Sequence, residues 1–118
     1  MPPEAFARRV FRSAAVYGFV VLPPMYLLAP SDEHFPAYIG FVGLALVFQA
    51  VFWIIGGDPA RYRALMLPSV AEKAVFAVPA LVLYAMEETD AVTASFAAVD
   101  ILLGSLFLTA WRRTRLTA

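Results

Sequence analysis

The run PAYIGFVGLALVFQAVFWIIG, from Pro36 to Gly56, carries no charged residue, and Gln49 is its only amide. A bilayer core about 30 Å thick is crossed by roughly 20 helical residues, and this run has that length. Three more apolar stretches lie around it: Ser13 to Ala29 before it, then Leu65 to Met86 and Ala91 to Trp111 after it. The first is short, but snorkelling arginines and reduced tilt accommodate a few missing residues. None alternates apolar and polar side chains, so each reads as a helix and not as a strand. The expected fold is all-α: one domain over residues 1–118, an integral membrane bundle of four antiparallel transmembrane helices. A short interfacial helix is expected between the second and third.

Composition agrees with that reading. Hydrophobic residues make up 62 % of the 118 residues and charged residues 15 %, against about 45–50 % and about 25 % in soluble domains. A small soluble globule has too much surface to hide so much apolar material. An ordinary soluble domain, a disordered chain and a nucleic-acid binder are therefore excluded. Net charge is zero and cysteine is absent, which excludes disulfides, thiolate metal sites and cysteine nucleophiles. A single histidine, His34, makes no metal site alone. No P-loop, dinucleotide fingerprint or nucleophile elbow is present. No catalytic residue, cofactor or metal is expected.

The connections are short and punctuated. Ala29 to Pro36 is a polar turn framed by prolines, Gly56-Gly57-Asp58-Pro59 ends the second helix, and Glu87-Glu88-Thr89-Asp90 is an acidic turn. Short connections favour antiparallel neighbours. All nine basic residues fall at one end: Arg8, Arg9 and Arg12 before the first helix, Arg61, Arg63 and Lys73 around the start of the third, and Arg112, Arg113 and Arg115 after the fourth. The two opposite turns hold Asp32, Glu33, Glu87, Glu88 and Asp90 and no basic residue. The positive-inside rule then places both termini in the cytoplasm. Without a small-residue cleavage site after Met25, the first helix is expected to be retained. Prolines at Pro23-Pro24 and at Pro79 hint at two similar hairpins.

The connection Asp58-Pro59-Ala60-Arg61-Tyr62-Arg63 carries an N-cap and a favourable first helical residue. Tyr62, Leu65 and Met66 fall on one side at helical spacing, the pattern of a helix lying against headgroups. Pro68 should end or kink it. Ser69 followed by Glu72 matches a capping box, so the third helix is expected to start there. This run, through Pro68 to Glu72-Lys73, resembles one in uncharacterised small four-helix bacterial membrane proteins, loosely DoxX-like. The resemblance implies a multi-pass protein of the cell inner membrane and supplies no catalytic residues.

Charged and amide side chains within apolar spans are functional candidates. Four stand out: Gln49, Glu72, Lys73 and Asp100. Asp100 lies eleven residues before Trp111, about 16 Å from that helix end and near the midplane. It shares a face with Ala97, Gly104 and Phe107, and small residues mark close packing in bilayers. Asp100 is thus either a protonatable or ligand-binding carboxylate, or a carboxyl satisfied by a tyrosine or Gln49. Glu72 is either the capping-box partner of Ser69 or part of a pocket with Lys73 and Gln49. Lys73 is expected to snorkel to the inner interface, and Gln49 to act as interhelical glue.

Three functions follow. The first is a non-enzymatic interaction or accessory subunit, with the lipid bilayer and a homo-oligomer or larger membrane complex as partners. The second is an oligomeric small-molecule or proton-coupled transporter using Asp100 and Glu72. The third is a membrane enzyme acting on a lipid or quinone. Gathering Asp100, Glu72 and Gln49 around one cavity would favour the second or third; a packed core with Asp100 capped by a neighbour would favour the first.

Overall fold

The computed structural model describes residues 2–115, which fold without a strand. Four α-helices form: α1 (Pro3–Val21), α2 (Phe35–Gly57), α3 (Met66–Ala85) and α4 (Ala91–Arg113). Each lies in a segment long and apolar enough to cross a membrane. Apolar side chains such as Val20, Leu44, Val75 and Val92 point outward and are well exposed. That is the reverse of a soluble bundle and the arrangement a lipid surround accepts.

Helix α1 starts about ten residues earlier than the apolar run suggests. Pro2 and Pro3 stand at its N-cap and first position, where a missing N–H costs nothing. The helix then runs on through Arg8, Arg9 and Arg12. It ends at Val21, because Pro23-Pro24 turns the chain into a 3₁₀ segment, Pro23–Leu28. The single Pro79 has no such effect, and α3 continues through it.

The segment after α2 differs from the expected interfacial helix. Asp58 does accept from the Arg61 amide at 3.4 Å, and its carbonyl accepts from Tyr62. The turn does not propagate; only a 3₁₀ turn, Arg63–Leu65, follows and passes directly into α3. Pro59, Ala60 and Met66 are buried, so this connection packs onto the end of the bundle. Helix α3 begins at Met66, before Pro68. Pro68 is its third residue, where the backbone N–H has no intrahelical partner anyway. No capping box forms, and the Ser69 hydroxyl donates to the Leu65 carbonyl instead.

Helices α1 and α2 form one tightly packed pair and α3 and α4 another, joined mainly by α1 against α4. Phe11, Phe52 and Phe107 hold α1, α2 and α4 together at the basic end, with Phe11 and Phe107 stacked at 4.2 Å. Arginines finish that end. Arg12 lies 3.8 Å over the Trp53 ring and donates to the Trp53 carbonyl. Arg63 stacks on Trp111 and donates to the carbonyls of Trp111 and Thr114, satisfying acceptors that the C-terminus of α4 leaves open. Away from this end, α2 and α3 barely touch. Phe41 and Phe76 bridge them, with ring centres 5.6 Å apart.

Candidate functional site

The gap between α2 and α3 is a cavity of about 680 Å³, within the roughly 300–1,000 Å³ typical of drug-sized ligand sites. Its walls are mostly apolar and aromatic, and its polar residues are few: Tyr17 from α1, Tyr38 and Gln49 from α2, Glu72 and Lys73 from α3, and Thr89, Thr93 and Asp100 from the α3–α4 turn and α4. All four sequence candidates within the spans therefore line one space. The connection residues Asp58, Pro59, Arg61, Tyr62 and Arg63 do not.

Lys73 does not snorkel. It is 5 % exposed, and its ammonium lies 3.5 Å from Glu72 Oε2 and 3.5 Å from Asp100 Oδ1. It also sits 5.1 Å over the ring of Phe52. Gly104 makes this possible. A Cβ on Gly104 would stand 3.2 Å from Lys73 Cβ, so the bare backbone lets α3 and α4 close in. From there the amine reaches Asp100, one turn earlier on α4. One cation between two carboxylates leaves the ionised cluster with one surplus negative charge.

Asp100 shares its inward face with Ala97, Gly104 and Phe107, all of them buried. It is paired with Lys73 and not with a tyrosine or Gln49. Glu72 Oε2 is buried against the Lys73 ammonium, which pairs with it at the same distance as with Asp100. Gln49 is 2 % exposed. Its Nε2 donates to the Ala45 carbonyl at 2.8 Å, while its buried Oε1 has no donor among the described residues. Gln49 fits only because Gly18 faces it; a Cβ there would overlap the amide. Tyr38 Oη donates to the Met25 carbonyl at 2.8 Å, tying α2 to the 3₁₀ segment at the cavity rim.

Gly18, Tyr17, Tyr38 and Phe96 were not singled out from sequence. The only local cue was Gly18 in the middle of an apolar helix, a position that often marks close approach by another element. Comparison with protein-family models, with curated proteins and with solved structures finds no match.

Proposed function

We propose that this protein is a multi-pass membrane protein that takes a small molecule into its bundle and carries it in exchange for protons held by Asp100 and Glu72. One observation carries the reading: Gln49, Glu72, Lys73 and Asp100 converge on a single apolar cavity of ligand size. Ionisable groups inside apolar spans are costly there and mark substrate and ion pathways. A proton arriving on either carboxylate balances the surplus charge, and its departure restores it.

The expected topology fits this role. An up-down-up-down order is supported by Arg12 of α1 on Trp53 near the end of α2, and by Arg63 ahead of α3 on Trp111 near the end of α4. The one-sided basic residues support cytoplasmic termini. A place in the bacterial inner membrane, among small DoxX-like proteins, is consistent with the resemblance of the 58–73 stretch.

A second reading, an accessory subunit, is favoured by the Lys73 contacts, which give each carboxylate a counter-charge without any ligand. Native mass spectrometry of protein released gently from its own membranes separates the two. A carrier retains a bound small molecule that Ala45→Trp, which fills the cavity, expels. An accessory subunit shows each protein at its own bare polypeptide mass.

A further inference from the structure

A second concave site lies on the flank of α1 and α2 at the basic end, lined by Arg12, Ser13, Val16, Tyr17 and Trp53. Its arginine is held in place. The Arg12 guanidinium lies on the Trp53 ring, and its Nε donates to the Trp53 carbonyl. The side chain runs along Gly56 and Gly57, where an added Cβ would stand 2.7 Å and 2.8 Å from it. A guanidinium has five N–H donors, and beyond the Nε bond those of Arg12 meet no acceptor among the described residues. Beside it, the Ser13 hydroxyl donates to nothing described, whereas Ser69, Ser95, Ser105 and Thr109 each give theirs to the carbonyl one turn back.

The surroundings add charge and an apolar lane. Among the described residues no carboxylate pairs with Arg8, Arg9 or Arg12. Arg9, Arg12, Ser13, Val16 and Val20 fall on one side of α1 at helical spacing. Trp53 lies four residues before the end of α2 at Gly57, about 6 Å in, so the guanidinium stands close to where the span gives way to head groups. From there Val16 and Val20, both well exposed, continue the same side toward the middle of the span. Cations followed by exposed aliphatic side chains match an acidic head joined to a hydrocarbon chain. Basic pockets between helices near a membrane surface take anionic lipid head groups in this way.

We propose that this flank is a binding site for one phospholipid with a net negative head group. Its phosphate accepts from the Arg12 guanidinium and the Ser13 hydroxyl, and its acyl chain lies on Val16 and Val20. Arg9 adds a second positive charge one turn nearer the head-group layer. A guanidinium already fixed by stacking loses little freedom when the phosphate arrives. A phosphatidylcholine head brings its own cation to this basic surface and gains less. The site shares only Tyr17 with the cavity between α2 and α3 and does not depend on what that cavity holds.

Trp53 and Trp111 are the chain's two tryptophans, so fluorescence reads this flank directly. The full chain is placed in phosphatidylcholine vesicles, with Trp111→Phe leaving Trp53 as the reporter and Trp53→Phe leaving Trp111. Phosphatidylglycerol or phosphatidylcholine with brominated acyl chains is then added as quencher. Quenching of Trp53 should saturate and favour phosphatidylglycerol about tenfold, and quenching of Trp111 should show no such preference. Arg9→Gln with Arg12→Gln should abolish the preference. Arg9→Gln with Ser13→Leu, which spares the Arg12 contacts to α2, should remove most of it should the first variant misfold. Arg61→Gln with Arg112→Gln removes the same charge away from the pocket and should leave the preference unchanged, as should added inorganic phosphate. If Trp53 shows no preference, if both tryptophans show the same one, or if the Arg61 and Arg112 changes weaken it as much as those at Arg9 and Arg12, the basic end acts only as a diffuse charge and the site falls. If inorganic phosphate relieves the quenching, the lipid assignment falls in favour of a soluble anion.

Discussion

Replacing Lys73 with methionine removes the cation and keeps an unbranched side chain over Phe52. At 3.5 Å and an effective dielectric constant of about 20, each carboxylate attracts the ammonium by ~5 kcal/mol. The two carboxylates do not stay ionised once the cation is gone, because proton uptake limits the loss. Removing one partner of a buried ion pair costs about 3–5 kcal/mol, and the methionine variant should fall in that range. Asp100→Asn should cost less, since Glu72 and Lys73 remain as a balanced pair. The triple variant Glu72→Gln, Lys73→Met, Asp100→Asn leaves no buried charge, and replacing a whole buried ion cluster is often neutral or stabilising. It should recover most of the stability lost in Lys73→Met. Titration of the micelle-bound protein with dodecyl sulfate, followed by far-ultraviolet circular dichroism, ranks the four proteins. If Lys73→Met is as stable as the parent, or the triple variant is as unstable as the single one, the cluster is not a coupled buried unit.

Gly18→Ala drives a methyl into the Gln49 amide and should lower stability by about 1–3 kcal/mol as overpacking does; pairing it with Gln49→Ala should recover most of that in the same titration. Helix α3 ends with the Glu88 amide on the Leu83 carbonyl and the Glu87 amide on the Tyr84 carbonyl, and Glu87 has φ 59°. That left-handed position suits glycine, so Glu87→Gly should raise stability by about 0.5–1 kcal/mol and Glu87→Val should lower it. The Thr93 amide donates to the Asp90 carboxylate at 2.8 Å and holds the Asp90 pKa below its ordinary value. This cap is complete above the unfolded aspartate pKa of about 3.9 and is lost as the pH falls through the lower folded value, so protection of the Thr93 amide relative to its intrinsic exchange rate should hold from neutrality to about pH 4 and fall only below it.

The helical membrane class was legible because each apolar run is long enough to cross a bilayer and holds only a few polar residues. The ends of α2 and α4 were legible too, since Gly56-Gly57 and the trailing arginines mark them. The starts of α1 and α3 were not. Arg8, Arg9 and Arg12 look like a boundary in a hydropathy reading, yet backbone helicity is indifferent to them once Pro2 and Pro3 have begun the helix. Pro68 looks like a breaker, but a proline in a first turn breaks nothing. The inward face of Asp100 followed from its spacing to Ala97, Gly104 and Phe107. The turn of Lys73 away from the interface did not, because it depends on Gly104 of another helix. Likewise, the burial of Gln49 depends on Gly18, thirty-one residues earlier, and no local pattern joins the two.

The claim that the cavity holds a ligand distinct from bulk lipid is tested most directly by photo-crosslinking in the native membrane. Benzoylphenylalanine replaces Phe96, which lines the cavity, or Val92, which is exposed one turn away. Irradiation followed by mass spectrometry of the intact chain should give an adduct at position 96 that position 92 lacks and that Ala45→Trp abolishes. Identical phospholipid adducts at both positions, unchanged by Ala45→Trp, would contradict it.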